Sequence, residues 1–165
     1  MLQPLGFDIN NELGIVHGDI KPQNILVFDK NPSGYTPKVA DFGYSTRWAT
    51  ANDLIQMPRS QPWAAPEWHH RGFTPAQAML MDAYSFGMLV LWLISYTDQK
   101  NSDHHLTLGS GAAPKAAELV SQMVEFTSQE QKLELDLFFN VTLTHDTANR
   151  CSDFRYLQKL LSPEK

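Results

Sequence analysis

With 165 residues, 42% hydrophobic and 11% aromatic, the chain has the size and apolar content of one globular domain, which excludes general disorder. A formal net charge of −5, with lysines and arginines scattered singly, excludes the basic stripe of a nucleic-acid binder. The lone cysteine, Cys151, excludes an internal disulfide, and no basic region followed by an apolar core marks a signal peptide. An intracellular, cytoplasmic protein without a membrane partner is the expectation.

In chain order, the first predicted element is a strand over Asn24–Phe28, where Ile25, Leu26 and Val27 form an apolar run suited to burial. Asn31-Pro32-Ser33-Gly34 supplies turn chemistry, and Lys38-Val39-Ala40 supplies a second strand. The resulting hairpin presents Asn24 on one side and Asp41 on the other, and Gly43 allows the tight turn that follows. Tyr44–Ala64, polar and punctuated by proline, reads as a surface loop. Thr74-Pro75-Ala76-Gln77 combines a capping residue, a first-turn proline and a glutamine that closes the box. The helix it announces runs through Asp82–Ile94, is apolar nearly all round and belongs at the centre of the domain. Its longest apolar run, Ser85–Tyr96, falls short of the ~20 residues of a membrane span.

Asn101–Pro114 reads as a loop and Lys115–Phe126 as a helix. Ser128-Gln129-Glu130-Gln131 is a second capping box. Beyond it, Leu133, Leu137, Phe138 and Val141 share one helical face and Leu135 and Phe139 another, which predicts a largely buried helix. Ser152 is the expected cap of a last helix carrying Phe154, Leu157, Leu160 and Leu161. The sum is a mainly α domain, a helical bundle with one small hairpin, and no second domain or internal repeat.

Three short motifs stand in a fixed order: His17-Gly18-Asp19-Ile20-Lys21-Pro22-Gln23-Asn24, then Asp41-Phe42-Gly43, then Ala65-Pro66-Glu67. Together they resemble the catalytic loop, the metal-binding turn and the end of the activation segment of protein kinases. The resemblance implies a protein-kinase-like C-terminal lobe over residues 1–165, with a serine/threonine hydroxyl of a protein as phosphate acceptor. It implies Asp19 as catalytic base, Lys21 against the transferred phosphate, and Asn24 and Asp41 as ligands of Mg²⁺ bound with ATP. Lys21 tilts the acceptor class to serine and threonine. Leu26 would floor the adenine, supported by Leu89 and Leu93.

The same resemblance gives His17 and Phe42 packing roles and makes Asp82, in Asp82-Ala83-Tyr84-Ser85-Phe86-Gly87, their anchor. Glu67 and Arg150 would form an ion pair stapling the fold, and Ser60 would supply a hydroxyl to Asp19 and Lys21. Trp63 stands where a tyrosine is usual, which bears on the substrate groove. Gly18 replaces the arginine that many kinases use to capture an activation-loop phosphate. Activity independent of phosphorylation at Ser45, Thr46 or Thr50 is therefore expected.

Met1–Val16 contains no glycine-rich loop and no lysine. These 165 residues thus read as a large lobe alone, with negligible activity expected from them by themselves. The alternative is a kinase-like binding or scaffold module, with a partner covering the face that a small lobe would occupy. His69-His70 and His104-His105 lack metal-ligand spacing, Asn140-Val141-Thr142 falls within a predicted helix, and Cys151 has no neighbouring histidine base.

Overall fold

The computed structural model describes residues 15–30, 34–97, 111–123 and 128–162. The expected turn over Asn31–Ser33, the His104-His105 pair and Phe126 lie outside the described residues. The first element is a two-residue strand, β1 (Ile15–Val16), followed by the hairpin strands β2 (Ile25–Lys30) and β3 (Gly34–Val39) and a short β4 (Thr46–Arg47). Four helices then follow among the described residues: α1 (Pro75–Thr97), α2 (Ala112–Gln122), α3 (Gln129–Thr142) and α4 (Phe154–Leu161).

The β2–β3 hairpin is antiparallel, with Ile25 opposite Val39 and Lys30 opposite Gly34. β3 begins four residues earlier than its apolar pattern suggested and includes Pro37, opposite Val27. A two-stranded sheet has only edges, so a proline costs no ladder bond on the outward side. Burial of β2 was expected and is not found. Leu26, Val27 and Phe28 are 49%, 62% and 47% exposed, because no second layer among the described residues covers this ribbon.

α1 starts as its cap predicted. Thr74 N–H donates to Gln77 Oε1 at 3.0 Å and Gln77 N–H returns to Thr74 Oγ1 at 3.4 Å, with Pro75 in the first turn. Met81 through Leu89 are all buried, which puts the middle of this helix at the centre of the fold. The stretch Pro75–Ser95 is long and apolar enough to cross a membrane, longer than the run read from the sequence. Yet 72% of its most apolar window is buried inside the fold, as in a core helix.

α1 packs against β1, α2 and α3, and α3 packs in turn on α4. The Phe86 ring meets Phe138 of α3 edge-on at 5.5 Å and lies 5.8 Å from Phe154 of α4. Gly87 permits the α1–α3 approach, since a Cβ there would lie 2.5 Å from Thr142 Oγ1 and 2.8 Å from its Cβ.

The other helices differ from expectation in detail. α2 begins at Ala112, three residues early, because Pro114 is tolerated within a first turn. α3 has both bonds of its Ser128–Gln131 capping box but buries only its C-terminal half. Phe138, Phe139 and Thr142 are inside, while Leu133 and Leu137 are 62% and 41% exposed. α4 is capped by Asp153, whose carboxylate accepts the Arg155 and Tyr156 N–H groups, rather than by Ser152.

The stretch expected as a surface loop is more structured than its polarity implied. β4 pairs with β1, Ile55 bridges to Phe73, and Ile55, Met57 and Trp63 are buried.

Candidate active site

β1 delivers the chain into the His17–Asn24 loop, which hangs from the core helix by one carboxylate. Asp82 Oδ2 accepts the His17 N–H at 2.7 Å and Oδ1 accepts the Gly18 N–H at 2.9 Å. The Asp82 carboxyl is pushed up to about 7: burial raises it most, the two N–H bonds oppose the rise, and the charge of Asp19 adds to it. Gly18 sits at φ +84°, a left-handed conformation that costs a residue with a side chain about 1–2 kcal/mol. A Cβ there would also stand 3.1 Å from the Tyr44 carbonyl. The residue in front of Asp19 is thus a glycine for a backbone reason.

Asp19 is only 5% exposed. Its Oδ2 accepts from Lys21 Nζ at 2.6 Å and from Asn24 Nδ2 at 3.2 Å. Its Oδ1 is buried without a hydrogen-bond partner among the described residues. Burial alone would raise the Asp19 pKa, but Lys21, Ser60 and Asn24 together hold it below the ordinary carboxylate range. Ser60 acts from beside the carboxylate without closing a bond of normal geometry to Oδ1. A cavity of about 10 Å³, lined by Asp19, Ser60, Met57 and Trp63 among others, opens here. The result is an ionised carboxylate with one oxygen fixed and the other without a partner among the described residues.

Asn24 Nδ2 also donates to the Asp19 carbonyl at 2.8 Å. With the amide nitrogen so committed, its Oδ1 has no hydrogen-bond partner among the described residues. The Asn24 carbonyl accepts the Ala40 N–H at 2.8 Å, which sets Asn24 beside the residue preceding Asp41. Asp41 is exposed at φ 61°, and its Oδ1 accepts the Gly43 N–H at 3.2 Å. The left-handed residue of this turn is therefore Asp41, not the glycine to which the sequence assigned the turn. Gly43 serves by close approach instead, since a Cβ would lie 3.1 Å from Asp41 Oδ1.

His17 ties the two sides together. Its Nδ1 accepts the Asp19 N–H at 3.3 Å, so Nε2 carries the proton and donates to the Ala40 carbonyl at 3.2 Å. The Phe42 ring meets it edge-on at 5.3 Å. Burial holds the His17 pKa below its usual value, against the Ala40 bond and the charges of Asp19 and Asp41.

An amide oxygen and an exposed carboxylate at one hairpin mouth suit a hard cation that keeps most of its waters. Among the described residues, no group of three His, Cys, Asp or Glu side chains could hold a metal alone. The donor set would fit a Mg²⁺ ion that takes its remaining ligands from water and phosphate oxygens.

A family model described as "Protein kinase domain" matches residues 6–162. The chain belongs to the protein kinase domain family. Relatives of this family member include a rust resistance kinase of Triticum aestivum, 38% identical over 54% of the chain and 13% of the relative. Cysteine-rich receptor-like protein kinases of Oryza sativa subsp. japonica and Arabidopsis thaliana are 32% and 33% identical, over 67% and 76% of the chain and 18% and 17% of the relatives. The chain therefore spans less than a fifth of the length of each.

Below the catalytic loop of this kinase-family chain, Arg150 and Glu67 meet across 83 residues as an ion pair. Arg150 Nη2 also donates to Glu67 Oε2 at 3.3 Å and to the Thr144 carbonyl at 2.8 Å, while Nη1 donates to the Leu80 carbonyl at 3.2 Å. Leu26 and Leu93 are 49% and 50% exposed whereas Leu89 is inside, so the three leucines do not form one buried cluster. Trp63 turns inward against Trp92 at 6.3 Å, with its carbonyl accepting from Ser85, so its bulk fills the core beside the small cavity.

Sequence reading passed over Asp53, whose carboxylate accepts from Ala49 N–H, Thr50 N–H and Thr50 Oγ1. The Thr50-x-x-Asp53 spacing was its signal. It also passed over Tyr84 beneath the Arg150 guanidinium at 5.0 Å and Trp68 beneath Arg59 at 5.4 Å. No spacing rule could have paired these.

Proposed function

We propose that this chain is the large lobe of a protein serine/threonine kinase, transferring the ATP γ-phosphate to a protein hydroxyl. The observation that carries the reading is the Asp19 carboxylate, with Oδ2 clamped by Lys21 and Asn24 and Oδ1 buried and unpartnered. A substrate hydroxyl satisfies that oxygen, and Asp19 orients it and takes its proton. Lys21, a quarter exposed at its side chain, reaches past Asp19 toward the transferred phosphate. Asn24 Oδ1 and Asp41 are the groups that would hold Mg²⁺ with ATP, and the bound ion would offset phosphate charge. Asp82 fixes the loop, His17 and Phe42 link it to the metal-side turn, and the Glu67–Arg150 pair anchors the segment beyond. Leu26 offers a floor to the adenine ring. Names given to relatives, such as "G-type lectin S-receptor-like serine/threonine-protein kinase" in Arabidopsis thaliana, support the acceptor class.

A second reading rests on the exposed ribbon, where Leu26, Val27, Phe28 and Phe42 stay between 47% and 62% exposed. That face suits a small lobe or a partner, and a chain engaging a partner without turnover is a binding module. The experiment joins residues 1–165 to an upstream segment carrying a glycine-rich loop and strand lysine, and compares wild type with Asp19→Asn and Asp41→Asn. Phosphate transfer to serine peptides should fall roughly a hundred- to a thousand-fold in each variant. Equal nucleotide affinity in wild type and Asp41→Asn, without transfer in either, favours the binding module.

A further inference from the structure

Arg59 is an exposed arginine directly before Ser60, the residue beside the Asp19 carboxylate. Its guanidinium carbon lies 5.4 Å from the centre of the Trp68 indole. That indole is itself fixed: Nε1 donates to the Met57 carbonyl at 2.9 Å, and the ring packs on the core and meets His70 edge-on at 4.6 Å. A guanidinium resting on an aromatic face keeps its N–H donors at the rim and loses little entropy on further binding.

No carboxylate among the described residues takes those donors. The pairs Lys21–Asp19, Lys115–Glu118 and Arg150–Glu67 engage their carboxylates elsewhere. Asp53 is committed to the backbone and hydroxyl of its own turn. Residues 44–71 carry three arginines against two acids in a chain whose net charge is −5. The segment that borders the candidate base is thus slightly basic within an acidic chain.

We propose that Arg59 selects substrates with an anionic side chain, carboxylate or phosphate, within two or three residues of the acceptor hydroxyl. The proposal rests on the reading of Asp19 as base. Pro58 and Ser60 line the same small cavity as Asp19, so an acceptor at Asp19 lies alongside this segment. An extended peptide advances about 3.3–3.6 Å per residue, which brings such a side chain within reach of a guanidinium one residue away from Ser60. A planar fork of donors meets carboxylate or phosphate in two parallel bonds.

The test titrates the 165-residue chain with four labelled serine peptides, differing only at the flanking position: Asp, phosphoserine, Asn or Lys. The Asp and phosphoserine peptides should bind roughly five- to twentyfold tighter than the Asn peptide, with the gap closing at high salt. Phosphoserine clearly ahead of Asp identifies phosphate as the favoured source, and parity identifies the carboxylate. Arg59→Met keeps apolar cover over Trp68 and should abolish the preference, while Arg59→Glu should shift it to the Lys peptide. No difference among the peptides, or a preference that survives Arg59→Met, overturns the proposal. Transfer to serine peptides without charge preference sinks it and spares the kinase reading. Arg59-dependent anion binding with no transfer by the upstream-extended protein sinks the kinase reading and leaves the anion site standing.

Discussion

Replacing Glu67 by Leu strands a guanidinium that cannot lose its charge. The Arg150 side chain is fully buried, whereas Glu67 is 28% exposed at its side chain. Removing the acid leaves Arg150 with two carbonyl acceptors, Leu80 and Thr144, and the Tyr84 ring face, but no counter-charge. Breaking a buried pair in this sense typically costs about 3–5 kcal/mol. Arg150→Met leaves the opposite residue, a carboxylate beside a cavity of about 190 Å³ that Glu67 and Leu80 help to line. Water can reach that carboxylate, so its loss of a partner is softened to about 2–3 kcal/mol, mainly from the abandoned carbonyls. For a chain of this size each kcal/mol moves Tm by roughly 2–4 °C. Urea unfolding followed by tryptophan emission should therefore rank Glu67→Leu below Arg150→Met, and the double variant should lose less than the two single losses combined. Arg150→Met proving the costlier change, or strict additivity in the double variant, refutes the argument that the buried cation is the expensive partner.

Asp82 gives a pH prediction with a definite sign. Its folded pKa of about 7 lies above the unfolded 3.8, so the stability it contributes is present at low pH and lost as pH rises through 7. Wild type should gain about 3 kcal/mol on Asp82→Asn between pH 8 and pH 5, and a gap that stays constant with pH would show the carboxylate ionised throughout. Gly87→Ala should lower stability by about 1–3 kcal/mol, since the added methyl meets the Thr142 side chain and Leu143 inside 3.0 Å, read out as a drop in denaturation midpoint. Changing Ser45, Thr46 and Thr50 together to Ala in the upstream-extended protein should leave phosphate transfer within a few-fold of wild type. Gly18 offers no cation there, and a large loss of activity contradicts that reasoning.

The elements most legible in the sequence were those whose signal is local. Both capping boxes are reciprocal side-chain-to-backbone exchanges within four residues, so Thr74–Gln77 and Ser128–Gln131 announced their helices directly. The apolar surround of α1 likewise announced a central position. Burial of β2 was misread because Ile25-Leu26-Val27 records how apolar a strand is, not whether a second layer lies over it. The α3 face failed for the same reason: Leu133 and Leu137 have the right spacing, but the helices they could meet cover only the other end. At the site, motif order named Asp19, Lys21, Asn24 and Asp41, and chain topology brought them to one hairpin mouth. The left-handed turn at Asp41, the inward Trp63 and the Arg59–Trp68 stack depend on tertiary neighbours that no window of sequence contains.

The geometry also divides the site into halves of unequal rigidity. Asp19 is held through His17 and Gly18, whose adjacent N–H groups converge on the two oxygens of Asp82 in the core helix. That convergence needs the left-handed backbone of Gly18, so Gly18, the buried Asp82 and Asp19 form one mechanical unit. Asp41 has no such tether among the described residues: its carboxylate accepts from the Gly43 N–H within its own turn, and Phe42 behind it is 58% exposed. The link between the halves is the His17 ring, bonded to the Asp19 N–H on one edge and the Ala40 carbonyl on the other. Any contact that stabilised Phe42 would thus act on the Asp41 half, against an Asp19 carboxylate already fixed by the core. On the proposed reading, contacts on that exposed face therefore act on the Asp41 half first, and reach Asp19 only through His17.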